Sequence, residues 1–194
     1  MVKLILGVGF NEGKYPTKVK GKTVREYALW SGFLYRCFDK NRVVSQSYAG
    51  CQVSENFKNY SYFYQWCHQQ KGFKENGYVL DKDLLSPPEK KIYSEDTCLF
   101  IPQALNNLLV KPKKTPDGLP LGVFRSKKAY RSHISLDNKL QGLGSFPDPT
   151  SAFQAYASAK EGRIREEAKK YLATIDVRAY CALLAYRVMP YPKN

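Results

Sequence analysis

Two early segments of the chain carry apolar residues at helical spacing. Tyr27, Trp30, Leu34 and Cys37, with Phe33 and Phe38 beside them, share one face of a helix running to about Phe38. Thr23-Val24-Arg25-Glu26 supplies a capping box for its start, the Thr oxygen and the Glu carboxylate each satisfying a backbone amide. Phe57, Tyr60, Phe63, Tyr64 and Cys67 form a second stripe over 55–69, a helix expected to pack on the first. His68 lies near its end, where a surface or capping role is the simple reading. Ahead of both, Val2 to Val8 reads as a strand. Asn11 to Lys22, polar with Gly13, Pro16, Gly21 and four lysines, reads as a mobile basic arm able to touch phosphates.

The pattern then shortens. Leu80-Asp81-Lys82-Asp83 reads as the end of a short strand, Ile92 to Phe100 as a loop and returning strand, and Pro102 to Leu109 as a short helix, together a ββα unit. Lys111 to Pro120, with three prolines and three lysines, cannot hold a helix and reads as a semi-rigid tether. Beyond it, Leu121 to Arg125, Ala129 to Ser135 and Lys139 to Phe146 read as short strands, the last two joined by an Asp137-Asn138 turn. Asp148-Pro149 opens a helix with Phe153, Tyr156, Ala157, Ile164, Ala168, Tyr171 and Leu172 along one side, and a final helix runs from Val177 to Tyr186. The class is therefore α+β. The expected domains are a helical one with the ββα finger over 1–110, a basic linker over 111–120, and over 121–194 a three-stranded antiparallel sheet packed on a helix, with C-terminal helices.

Charge directs this frame toward polyanions. The chain has 31 Lys and Arg against 17 Asp and Glu, a formal charge of +14. Residues 1–110 carry 15 basic and 10 acidic side chains, net +5, and 111–194 carry 16 and 7, net +9. Nucleic acid is the leading partner, and no small-molecule substrate is expected. The 27 aromatics sit mostly at core spacing, which favours packing over base stacking. The five cysteines are odd in number, widely spaced and preceded by no secretion signal, which points to a reducing cytoplasm. Cys37, Cys51, Cys67 and Cys98 include no close-spaced pair, so buried thiols are expected rather than zinc. No stretch approaches the roughly 20 apolar residues of a bilayer span.

Hydrolysing a phosphodiester takes a cation to stabilise the leaving oxygen and a base to aim the water. Leu80-Asp81-Lys82-Asp83, Tyr93-Ser94-Glu95-Asp96-Thr97-Cys98 and Gln103-Ala104-Leu105-Asn106-Asn107, in that order, resemble the finger of bacteriophage-type HNH homing endonucleases. Trp30, Arg36-Cys37, Tyr48, Gly50-Cys51, Val53 and Phe57 extend the resemblance upstream, with Ser54 where those proteins carry Cys. The resemblance implies a ββα-metal fold in a bacterial host's cytoplasm, with Asp81 and Asn106 as ligands for Mg²⁺ or Mn²⁺. Lys82 stands at the family's catalytic His and Thr97 at the Asn that braces the loop. Lys82 acts as a base only if deprotonated, and charged it clamps a phosphate instead; His68 is the substitute base.

In the C-terminal part, strand alternation puts Tyr130, Ser132 and Ile134 on one face and Arg131, His133 and Ser135 on the other. Gly122-Val123, Tyr130-Arg131, Ile134, Leu143-Gly144-Ser145-Phe146 and Ala152-Phe153-Gln154-Ala155-Tyr156 resemble the Apetala-type (ethylene-response-factor) DNA-binding domain, which lays a three-stranded sheet in the major groove. Phe124 stands where plant members carry a contacting Arg. This resemblance implies that Arg125, Lys127, Lys128, Arg131, His133 and Lys139 face duplex DNA. Three functions stay open: a metal-dependent DNA endonuclease, a catalytically inactive DNA-binding protein that uses the finger as scaffold beside a phage or host protein partner, and an RNA-binding module.

Overall fold

The computed structural model describes residues 3–39, 48, 50–87, 90–110, 118–136 and 139–191, without the side chains of Lys3 and Leu136. The expected linker falls largely, and the Asp137-Asn138 turn wholly, outside the described residues. The fold is mixed α+β with two compact units, Met1–Gln103 with Thr174–Ala179, and Ala104–Ala173 with Tyr180–Asn194. Among the described residues no helix is long and apolar enough to cross a membrane.

The first unit is built on aromatic packing. Helix α1 (Arg25–Phe38) buries Trp30, Phe33 and Leu34 completely. Opposite them, Phe57, Tyr60 and Phe63 are equally buried, with ring centroids 5.2 Å apart for Trp30 and Tyr60 and 5.1 Å for Phe33 and Phe63. Each such ring contributes about 1.5–3 kcal/mol by leaving water. The second stripe is two helices, α2 (Glu55–Lys58) and α3 (Tyr60–Gln69), rather than one. Asn59 interrupts it because its side chain accepts from the Ser61 and Tyr62 amides, capping a new helix, while its backbone bridges Phe10.

Two further expectations give way. Thr23 caps nothing: α1 starts after Val24 with no side-chain cap. Thr23 instead pairs with Lys18 in the hairpin of β3 (Lys18–Val19) and β4 (Lys22–Thr23), and Glu26 turns to His68. The first strand is a hairpin, β1 (Lys3–Ile5) against β2 (Gly9–Asn11), turning where Leu6 and Gly7 take positive φ. Gly9 has no room for a side chain, since a Cβ would lie 2.3 Å from Leu34 Cδ1.

Strand β5 (Gln52–Val53) pairs parallel with β7 (Ile92–Tyr93), and β6 (Tyr78–Asp81) antiparallel with β8 (Leu99–Pro102), from Tyr78 opposite Pro102 to Asp81 opposite Leu99. Helix α4 (Gln103–Leu109) follows β8 directly, with the Gln103 amide bonded to the Gly77 carbonyl.

In the second unit, β10 (Ala129–Leu136) is the middle strand between β9 (Val123–Ser126) and β11 (Lys139–Phe146). Helix α5 (Pro149–Lys170) packs against one face of this sheet, burying Ala152 and Tyr156 against Leu119, Leu121, Val123 and Ile134. Its start follows the sequence, Asp148 accepting from the Ser151 amide at 2.9 Å ahead of Pro149. Gly122, at φ +71°, lies so close beneath Tyr156 that a Cβ would meet the ring at 2.1 Å. Leu172 lies beyond the helix and is exposed, so the apolar stripe ends sooner than the spacing implies. The final helix, α6, spans Val177–Ala185.

Candidate functional site

Two places concentrate the residues singled out by sequence. In the first unit, Asp81 ends β6 and is buried. Its Oδ1 accepts from the Leu84 amide at 2.9 Å and its Oδ2 from Asp83 at 3.4 Å, so the carboxylate closes its own turn. Burial pushes its carboxyl above the usual range, with the Leu84 amide opposing.

Lys82 is 3% exposed, and its Nζ bonds Asp83 Oδ1. The ammonium stands 5.4 Å from the Tyr48 ring centroid and 5.5 Å from that of Tyr93. Burial alone lowers the Lys82 pKa, but the hydrogen bond to Asp83 and that carboxylate's charge, with Cys51 and Tyr48, hold it above the ordinary lysine value. Arg36 lies over the same two rings, its Nε donating to Tyr93 Oη at 3.1 Å. A hydrogen bond from Cys37 favours the Cys51 thiolate against its burial, helped by the Lys82 charge, while the same bond pushes the Cys37 thiol up.

His68 belongs to a different cluster. Its Nε2 is 2.7 Å from Glu26 Oε1, and its ring packs by Tyr64 and Phe73 at 4.6 and 5.1 Å. Among the described residues these neighbours share no member with those of Asp81 or Lys82. Asn106 is half-buried on α4, beyond the division between the units.

Sequence reasoning undervalued Thr97. Its hydroxyl donates to the Ile92 carbonyl at 2.7 Å, accepts from the Ser94 amide at 3.2 Å and lies 3.0 Å from Ser94 Oγ. A threonine therefore ties the loop before β8 by its side chain. The signal was local: a Ser-x-x-Thr spacing lets both hydroxyls reach backbone groups of one turn.

In the second unit, the sheet face away from α5 is exposed among the described residues of that unit. Cross-strand partners share a face, so Phe124, Arg131 and Ser145 form one row, and His133 with Gly142 and Ser135 with Leu140 form others. Arg131, Ser135, Gly142 and Ser145 are exposed, while Ser132 and Ile134 on the reverse are buried, as alternation predicts. The small residues keep this face flat, and Phe124 and Leu140 rise from it, 41% and 70% exposed. Phe124 meets the His133 ring at 5.4 Å and 69°. His133 Nδ1 is buried and has no hydrogen-bond partner among the described residues.

Lys127 and Lys128 are exposed in the β9–β10 turn. Arg125 and Lys139 stand differently. Arg125 is cross-strand from Tyr130, its guanidinium 5.6 Å from that ring centroid, and so lies on the α5 side. Lys139 is opposite Leu136, also off the Arg131 face, at the sheet's end. Both are exposed and reach the rim rather than the face.

No family model, curated protein or solved structure matches the chain.

Proposed function

We propose that this protein binds duplex DNA through the open face of β9–β11 and uses the Asp81 finger as a scaffold without cutting. The observation that carries the reading is a flat, uncovered face bearing Arg131 and His133, with Lys127 and Lys128 at its edge. The lysines suit phosphates, Arg131 suits a guanine edge, and an exposed face of small residues lets a sheet approach a groove closely.

The finger supports the scaffold half. A lysine serves as base only when neutral, and Lys82 is held protonated by Asp83. His68 is engaged by Glu26. The Asp81 oxygens accept from their own turn, and among the described residues no three His, Cys, Asp or Glu gather as a metal-holding group. Mg²⁺ or Mn²⁺ would take Asp81 as a carboxylate ligand, with water and substrate phosphate completing the shell, so the scaffold reading rests on the missing base.

The endonuclease reading keeps one observation in its favour. Burial makes charge on Asp81 costly, and a divalent cation would offset that cost.

Supercoiled plasmids carrying candidate targets, incubated with Mg²⁺, Mn²⁺ or EDTA, separate the two. The expected result is salt-sensitive duplex binding, weakened by Arg131→Ala, with plasmid intact under every ion. If about five phosphates are neutralised, log affinity falls against log salt with a slope near −4.5. A flat salt response sinks the electrostatic reading. Metal-dependent nicking that Asp81→Ala abolishes replaces the scaffold with a nuclease, and Lys82→Ala and His68→Ala then identify its base.

A further inference from the structure

The segment expected to be a mobile basic arm is an anchored hairpin. Tyr15 stacks on Tyr64 at 4.1 Å and 6°, and Gln65 Nε2 donates to the Tyr15 hydroxyl at 2.8 Å. Tyr60 Oη donates to the Pro16 carbonyl at 2.7 Å, and the Val24 amide to the Thr17 carbonyl at 3.1 Å. These contacts fix the base of the β3–β4 hairpin on the aromatic core of the first unit.

Its tip is Lys18-Val19-Lys20-Gly21-Lys22, exposed at every position. Among the described residues none of the three lysines is in an ion pair. The two-residue turn puts both central residues at positive φ, Lys20 at 48° and Gly21 at 77°. Such hairpins favour Asn-Gly, because asparagine tolerates the left-handed region better than a side chain such as lysine. Here the less favourable residue occupies the tip, its ammonium in no ion pair among the described residues, and the left-handed φ it adopts at a cost motivates a role in contact. Val19, 53% exposed and cross-strand from Lys22, adds an apolar surface beside the charges.

We infer that the β3–β4 hairpin is a second DNA contact, with Lys18, Lys20 and Lys22 on backbone phosphates. The inference rests on duplex DNA being the partner. The hairpin adds affinity and no sequence choice, because phosphates carry no base identity. Its partner is the phosphate backbone and not a protein carboxylate: Lys22 shares a face with Val19 and Lys18 stands on the other with Thr23, so the tip offers charge to both sides, as phosphate rows flanking it would take.

The test is the salt dependence of duplex binding by the full chain, read from about 50 to 200 mM salt on a mixed-sequence duplex. Removing all three charges as Lys18→Gln, Lys20→Asn and Lys22→Gln is expected to reduce the slope of log affinity against log salt by about 2.7. Lys20→Asn alone is expected to reduce it by about 0.9 and to leave Tm equal or higher, because asparagine suits the turn. A triple variant with wild-type Tm and an unchanged slope overturns the hairpin contact, leaving the sheet reading intact. A wild-type chain that binds no duplex at any salt overturns both. Loss of binding in the triple variant together with a lowered Tm counts against the hairpin if Lys20→Asn, which keeps the fold, leaves the slope unmoved.

Discussion

A lysine ammonium buried to 3% exposure needs a partner, and Lys82 has Asp83 beneath its Nζ and two tyrosine rings beside it. Its partner is nevertheless well solvated, the Asp83 side chain being 68% exposed. Removing the cation therefore leaves Asp83 solvated, in contrast to the usual broken pair. Lys82→Met keeps the volume of the stem, loses two ring contacts and relieves the desolvation of the ammonium. These changes nearly offset, and Lys82→Met is expected to unfold within about 1 kcal/mol of wild type in urea. Lys82→Ala also loses the packing of the stem and is expected to cost about 1–3 kcal/mol. A loss above about 3 kcal/mol in Lys82→Met would show the charge to be a net stabiliser. At this scale the sequence placed Asp81, Lys82 and Thr97 on one finger. What it did not show is that Lys82 is turned inward, because burial of a polar side chain depends on Tyr48 and Tyr93, which are remote in the chain.

Glu95 joins elements rather than residues. From the loop before β8 it accepts from Ser54 Oγ at 3.1 Å and Asn56 Nδ2 at 2.7 Å, holding the first turn of α2. Burial pushes its carboxyl up, but its own amide and hydrogen bonds from Asn56, Tyr62 and Ser54 outweigh that and leave it below the usual value of 4.5. The folded state thus binds the Glu95 proton less readily than the unfolded chain. Its stabilisation is complete above about pH 4.5 and is lost as pH falls through the depressed folded value. Glu95→Gln is expected to cost about 1–2 kcal/mol at pH 7, and the gap to wild type should narrow as pH falls below 4.5 through the depressed folded value. Equal gaps at both pH values in urea melts would exclude the carboxylate as the cause. The same lock shows why elements were only partly legible. Periodicity gave α1, β10, β11 and α5 nearly to the residue. It joined α2 to α3 because Asn59 sits in an unbroken apolar pattern, and its capping role depends on the bridge to Phe10. It assigned Thr23 to a cap because Lys18, its strand partner, lies across a turn whose hairpin pairing was not anticipated.

On the proposed reading, a whole molecule of formal charge +14 would hold DNA in two ways. Exposed lysines act at long range, speeding encounter and making affinity salt-dependent. Apolar side chains on the open sheet face act only after contact, when they exclude water from a base edge. Phe124 is of the second kind, carries no charge and stands in a row with Arg131. Lys127 and Lys128 are of the first kind. Phe124→Ala is therefore expected to speed dissociation about fivefold, the factor that roughly 1 kcal/mol of lost apolar contact gives, and to leave the association rate and salt slope unchanged. Lys127→Gln with Lys128→Gln is expected to do the reverse, reducing the slope by about 1.8 with a smaller effect on dissociation. Stopped-flow binding at two salt concentrations separates the pair. If Phe124→Ala changes the slope as the lysine variant does, the face acts as a charged surface only. Unchanged dissociation in Phe124→Ala would place the bound DNA on the basic rim rather than across the sheet.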